Sequence, residues 1–379
     1  MKILNLSSID FTRMGPIFGC SFRNAMKLLL SNGLIPIKHL MRVIFINTIS
    51  IVGIPFRIRE NFLYKQKIER TRVQSPPIFI IGHWRSGTTH LHNLLCQDPQ
   101  FGYISMLEAS FPKSFMSNSF FKYFMSEFLP ETRPMDNMKM GVDETQEDEM
   151  ALGNIFPYTL YNAWYFPKRM MEFYYRYVRF RNIPKKTIRS WKQGYDYLIR
   201  KTTLNMEGKQ ILLKNPANTA RIKFLLTLYP DAKFIHIYRN PYIVYLSTRH
   251  FYKKTMEKFM FQNVSSDLIE RNFIKIYEDM MKCYFNEKKL IPKENLVEVK
   301  FEELEQDPIN QLNKIYSTFN LSGFEINKER FSRYLEGLKN YKKNIFQLKD
   351  RDLDIVRKYW SFTINKWNYK VPGQHILRQ

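Results

Sequence analysis

Residues 78–95 read IFIIGHWRSGTTHLHNLL. Ile78 to Ile81 are apolar without a break, the pattern of a strand covered on both faces. A short loop, Gly82-His83-Trp84-Arg85-Ser86-Gly87-Thr88-Thr89, follows, and the apolar spacing then turns helical. Glycines in such a loop let backbone N–H groups turn inward. The helix start adds unpaired amides and the positive end of its dipole, so the loop suits a phosphate-like anion. It nearly spells Gly-x-x-x-x-Gly-Lys-Ser/Thr, but Thr88 stands where a lysine would reach the β- and γ-phosphates of a nucleotide. The cation of this loop is Arg85, whose rigid fork suits a shorter anion. Thr88 and Thr89 can donate their hydroxyls at the helix start. A nucleophilic role for Ser86 would need glycine where Trp84 stands, and that reading falls.

Three more runs read as strands: QILLK (210–214), AKFIHIY (232–238) and, with poorer alternation, LVEVKF (296–301). Each is followed by a turn and a helical pattern, which predicts an α/β fold: a P-loop-like parallel sheet flanked by helices. Between the first two runs no strand is evident. SFMSNSFFKYFMSEFL, DETQEDEMALGNIF and KKTIRSWKQGYDYLIRKTT all carry helical spacing. The spacing thus predicts a helical insertion over about 105–209 inside a domain spanning 76–379. A helical extension over 1–75 precedes it, with the break at QSPP (74–77). The segment 307–357 reads as helical again, with Pro308 at a helix start.

The chain has 379 residues, of which 44% are hydrophobic and 16% aromatic, enough for a sizeable core. A net charge of +24 raises the local concentration of anionic partners. It is spread along the chain rather than gathered in a tail, so nucleic acid is not expected. Cys20, Cys96 and Cys283 have neither disulfide nor metal spacing, which suits a reducing compartment. MKILNLSSIDFTRMG lacks the apolar core of a signal peptide, so the expected location is the cytoplasm. The most apolar stretch, VIFINTISIVGIPF (43–56), lies between Arg42 and Arg57; its fourteen residues fall short of the roughly twenty that span a bilayer as a helix. Residues 1–75 carry twelve Lys/Arg against three Asp/Glu. That segment can lie on acidic lipid at the cytoplasmic membrane face, or pack as an ordinary amphipathic hairpin on the main domain.

A second anion site is written in AKFIHIYRNPYIVYLSTRHFYKK (232–254). A strand ends at Arg239, Asn240-Pro241 turn, and a helix carries Ser247. Arg239 sits at the end of a strand where parallel sheets bind ligands, and Ser247 can join it on one phosphate if the helix folds back. GHWRSGTT together with YRNPYIVYLS resembles the two cofactor motifs of sulfotransferases, enzymes that take a sulfuryl group from 3′-phosphoadenosine 5′-phosphosulfate (PAPS). The resemblance implies that Arg85 to Thr89 hold the 5′-phosphosulfate, and Arg239 and Ser247 the 3′-phosphate. With ILLKNP (211–216), VKFEELEQDP (299–308) and YKKN (341–344), the chain is more narrowly similar to the large bacterial sulfotransferase family related to tyrosylprotein sulfotransferases. The likeness covers most of 75–370, and more loosely the amino-terminal helices. Two departures stand out: cytosolic sulfotransferases carry lysine at the Arg85 position, and they use a histidine base after the loop. No histidine lies between His92 and His236 here.

Sulfuryl transfer needs in-line geometry, a base for the acceptor's proton, and cations on the departing phosphate. Lys214, at a strand end, is a second cation beside Arg85. The richest source of bases is DETQEDEMAL (143–152), where a helix would place Glu144 and Glu147 on one face and turn Asp148 and Glu149 away. Glu147 is the first candidate and Glu149 the second. Glu108 is the third, because a glutamate at a similar distance after the loop serves tyrosylprotein sulfotransferases. Tyr341, Lys342 and Asn344 would close over the cofactor's phosphate, and no metal is expected. The acceptor is a hydroxyl or amine on a small molecule, glycan or lipid. Two rival readings remain. A P-loop phosphotransferase would need lysine at position 88 and an acidic Mg²⁺-binding strand end. A non-enzymatic basic protein would bind membrane or nucleic acid.

Overall fold

In the computed structural model, which describes residues 15–117, 119–133, 136–341, 343–372 and 377–378 (side chains of 128, 377 and 378 excepted), five parallel strands form one sheet in the order β2-β3-β1-β4-β5. These are β1 (Ile78–Ile81), β2 (Phe101–Gly102), β3 (Gln210–Lys214), β4 (Lys233–Tyr238) and β5 (Leu296–Lys300). Ile78 pairs with Leu212 on one side and Lys233 on the other, so β1 is central. The four strands expected from apolar runs are present. β2 is an addition, within the segment read as strandless; two residues are too few to show alternation, and their pairing with Gln210 and Ile211 is what makes them a strand.

Side chains alternate between two cores, as the pleat requires. Phe79, Ile81, Leu213 and Phe234 face one, and Ile78, Ile80, Leu212 and Ile235 the other. Helices α1 (Phe22–Leu30) and α2 (Leu40–Arg70) precede the sheet, and α3 (Thr88–Leu95) follows β1. The insertion contributes α4 (Met106–Ser110), α5 (Phe120–Phe128), α6 (Asp148–Ile155) and α7 (Lys185–Asn205). After β4 come α8 (Pro241–Phe251), α9 (Ser266–Glu287), α10 (Pro308–Phe319), α11 (Phe324–Gly337) and α12 (Asp350–Lys366). Leu91, Ile315 and Phe331 place α3, α10 and α11 over one face; Tyr195, Tyr245, Tyr277 and Trp360 place α7, α8, α9 and α12 over the other. Because the chain leaves the central strand first to one side and later to the other, a crevice opens at the strands' carboxyl ends.

Two expectations are corrected. The stretch 43–56 does not stand alone. It is the middle of α2, which continues through Pro55 for 31 residues and has the length and composition to cross a membrane. The ring of Pro55 removes a backbone donor, and Arg57 reaches back to the Ser50 carbonyl. The acidic run is also not helical throughout. The Gln146 amide bonds the Ile104 carbonyl (2.8 Å) and Thr145 bridges Ser105, so this part is extended and α6 begins only at Asp148. Glu144 therefore lies off the helix, and Glu147 is its N-cap residue with ψ of 130°.

Candidate active site

The loop between β1 and α3 needs its glycines for two different reasons. A β-carbon on Gly82 would fall 2.2 Å from the Ile237 carbonyl oxygen of the neighbouring strand. Gly87 starts α3 with φ of +94°, and a β-carbon there would meet the Phe301 ring at 2.2 Å. Between them Arg85 holds φ of +70°, a left-handed conformation uncommon for a residue with a side chain. Thr219 fastens the loop by accepting from the Gly82 N–H (2.7 Å) and donating to its carbonyl (3.1 Å). The first amides of α3 have no carbonyl a turn earlier to bond, which is what makes the cradle.

Arg85 points across the crevice. Its Nε donates to the Ser247 hydroxyl of α8 (2.9 Å) and its Nη1 to Asp136 (2.9 Å). Asp136 also takes both arms of Arg133, Nε at 2.9 Å and Nη2 at 2.5 Å. Burial alone would raise the Asp136 carboxyl, but Arg133 and Arg85 hold it well below the usual range. Arg239, just past β4, is buried with its guanidinium 4.0 Å from the centre of the Phe301 ring. Its Nε is buried without a hydrogen-bond partner. Burial pushes this group down to about 10; Glu302 and Glu305 oppose the shift and the Arg85 charge adds to it. Arg85, Arg239 and Ser247, separated in sequence, thus converge on one crevice. Tyr341 joins them, its hydroxyl donating to the Asp136 carbonyl (2.5 Å). Asn344 is half-buried a little farther along, and Lys342 lies outside the described residues.

The carboxylates expected to supply a base go to separate places. Lys214, buried at the end of β3, sets its Nζ 2.9 Å from Glu147 Oε1, and the Tyr161 hydroxyl donates to Glu147 Oε2. Burial lowers the Lys214 ammonium, with Glu147 opposing. Asp148, pushed up to about 6 by burial, accepts from Tyr195, Asn215 and Asn218. Glu149 is gripped by Arg221 at 2.5 and 3.2 Å and takes further bonds from Asn215 and Thr159. Glu108 closes a capping box with Ser105 and accepts from Asn205 (2.7 Å). Only Glu147 of the three candidate bases lines the chamber described next. Glu149 and Glu108 are turned into hydrogen-bonded burial, so the geometry withdraws both from contact with a substrate there.

That chamber opens beside the loop. Arg85, Thr88, Thr89, Arg133, Glu147 and Tyr161 form its polar wall, and Phe18, Met125, Met150, Trp164, Phe251 and Phe259 lie among its apolar residues. Its empty space, with the open mouth and the solvent in it included, is about 1260 Å³. Sequence reasoning misses Asp136 and Tyr161, whose partners Arg85 and Glu147 stand on other elements, and Arg133, which enters only through its ion pair with Asp136. Among the described residues no group of three or more His, Cys, Asp or Glu is placed to hold a metal ion.

Comparison with known proteins gives a consistent result. A sequence model of the sulfotransferase family matches residues 76–325. The omega-hydroxy-beta-dihydromenaquinone-9 sulfotransferases Stf3 of Mycobacterium bovis and Mycobacterium tuberculosis are each 30% identical over 357 residues, 93% of this chain and 90% of theirs. Among solved structures, sulfotransferase STF9 of Mycobacterium avium superposes with a TM-score of 0.72 at 15% identity, covering 99% of this chain and 100% of its own. Sulfotransferase STF1 of Mycobacterium tuberculosis gives 0.62 at 18% identity over 83% and 86%. The structural likenesses speak for the fold, and the sequence matches for the family: the chain belongs to the sulfotransferase family and is a sulfotransferase enzyme.

Proposed function

We propose that this enzyme transfers the sulfuryl group of PAPS to the hydroxyl of a lipid alcohol, with Glu147 as the general base. One observation carries the reading. Glu147, fixed by Lys214 and Tyr161, stands on the wall where the anion loop meets an apolar chamber. A nucleotide with phosphate groups at both ends fits the converged cations. The buried Nε of Arg239 lacks an acceptor, and the loop ends at the unpaired first-turn amides of α3. PAPS would bring an activated sulfuryl group on a phosphate leaving group. Arg85, Ser86, Gly87, Thr88 and Thr89 would hold the phosphosulfate end, and Arg239 with Ser247 the 3′-phosphate. Asp136 acts as a positioning residue by fixing the Arg85 fork.

The chemistry of this chain's residues follows from their charges. Glu147 takes the proton of the acceptor hydroxyl as its oxygen bonds to sulfur and the sulfur–phosphate oxygen bond breaks. Lys214 holds that carboxylate and places positive charge where negative charge gathers on the leaving phosphate, as does Arg85. Apolar walls exclude water, which would otherwise compete as acceptor. An alcohol on an apolar carrier suits such walls, and the relatives' names specify an ω-hydroxylated dihydromenaquinone, a molecule of that kind. The test is transfer of labelled sulfate from PAPS across a panel of hydroxylated polyprenoids, sugars and phenols. Lipid alcohols are expected to be sulfated best, and Glu147→Gln to lower kcat by about 10²–10⁴ with little change in the KM for PAPS. Undiminished turnover in that variant would remove Glu147 from the base role, and preference for sugars would remove the lipid.

A further inference from the structure

Helix α2 shows the outside a continuous apolar stripe. Met41, Ile44, Ile51, Ile58 and Phe62 recur at helical spacing along one side, with Ile58 65% and Phe62 87% exposed. Leu34 and Ile37, 94% and 86% exposed, extend it at the amino-terminal end. Over its most apolar part the helix has a mean hydropathy of 1.5, yet only 22% of that part is buried. The opposite side is fastened to the body. Ile46, Ile49 and Gly53 are buried there, and buried Glu60 pairs with Lys201 and accepts from the Met116 and Ser117 amides at 2.8 and 3.0 Å. A helix tied down at its middle by a buried ion pair lies along the protein surface rather than leaving it.

Charge selects what covers the stripe. Exposed Lys38, Arg59, Lys65, Lys67 and Arg70 flank it at both ends, while Glu60 is buried and Glu69 is the one exposed acid of the helix. A second copy docked by a two-fold axis would set these like charges against each other. An anionic lipid leaflet would neutralise them and take up the stripe. Position agrees. The Arg42 guanidinium donates to the carbonyl of Phe259, a chamber residue (2.6 Å), and Phe56 stacks on Phe120 of α5, whose Met125 also lines the chamber. Phe120 and Tyr123 continue the exposed apolar surface from α2 onto α5, with exposures of 48% and 68%.

We infer that this face of α2 is an in-plane docking surface for anionic membranes, placed so that a lipid alcohol passes from the leaflet into the chamber without crossing water. The passage rests on the lipid-alcohol reading above; the docking does not. The test uses the full chain and vesicles of phosphatidylcholine with or without phosphatidylglycerol, in co-sedimentation. The protein is expected to bind the anionic vesicles, and Ile51→Glu/Ile58→Glu/Phe62→Glu to weaken that binding by about tenfold or more. That variant should keep its melting temperature, its binding of adenosine 3′,5′-bisphosphate and its turnover of a water-soluble short-chain alcohol. Absence of vesicle binding by the unaltered protein, or equal binding by the variant, overturns the inference. So does light scattering that shows a dimer which the triple substitution dissociates. Vesicle binding without bisphosphate binding would leave the docking surface standing and sink the PAPS reading instead.

Discussion

Arg85 carries its guanidinium on a backbone with φ of +70°, a conformation that costs a side-chain-bearing residue about 1 kcal/mol or more. That the position is nonetheless not glycine fits a side chain needed for its two bonds, to Ser247 and Asp136. Replacing it separates the two effects. Arg85→Ala and Arg85→Gly should both lower kcat by about 10²–10³, the scale of losing a transition-state donor. The glycine variant should be the more stable in denaturant by roughly 1 kcal/mol, since it relieves the backbone. Equal turnover in either variant would remove Arg85 from the chemistry. Glu108 offers the opposite case, a carboxyl whose environment acts on the fold. Burial pushes it up to about 7 from an ordinary 4.5. A carboxyl raised in the folded state contributes stability fully below its unfolded value and loses it as pH rises through the folded one. Between about pH 4.5 and 7.5 the protein should thus lose up to about 3 kcal/mol through this group. Glu108→Gln should flatten that slope in urea melts while turnover stays near that of the unaltered enzyme. A large loss of turnover would bring Glu108 back as a base.

The start of α6 sorts three consecutive acidic side chains into three destinations. As N-cap, Glu147 keeps an extended backbone and reaches Lys214 at the chamber, while Asp148 and Glu149, in the first turn, meet Tyr195 and Arg221. Arg221 is fully buried, and Glu149→Gln would leave its charge uncompensated. That substitution should cost about 3–5 kcal/mol in equilibrium unfolding while the folded fraction keeps its turnover; an unchanged melt would contradict the account of this pair. The same element marks how far the sequence can be read. β1, β3, β4 and β5 are legible because strands buried on both faces are unbroken apolar runs. β2 is not, since only its pairing with β3 defines it. In DETQEDEMAL the apolar spacing suggests one helix, but bonds from Gln146 to Ile104 and Thr145 to Ser105 hold the first half extended. Those partners lie some forty residues away and leave no local trace. Asp136, the carboxylate that orients Arg85, stands in an irregular stretch for which no pattern exists. Arg57 reads as the end of an apolar segment, whereas the structure continues α2 past it.

At the scale of the molecule, the chain carries a net charge of +24, and the donor proposed for its crevice is a polyanion. The KM for PAPS should therefore rise as ionic strength increases, with kcat less affected, since screening weakens long-range attraction more than short, buried contacts. A KM independent of salt would mean the surface charge serves other ends. The amino-terminal helices belong to the same body: Ile17 and Cys20 enter its core, and Glu60 neutralises buried Lys201. Two distant segments, the loop after β1 and the turn after β4, supply the cations on which the reading of the crevice depends. Calorimetric titration with adenosine 3′,5′-bisphosphate tests that convergence most directly. Binding should be tighter than that of ATP, and Arg85→Ala and Arg239→Ala should each weaken it by about tenfold or more. ATP binding more tightly than the bisphosphate, or bisphosphate affinity indifferent to both substitutions, would contradict it.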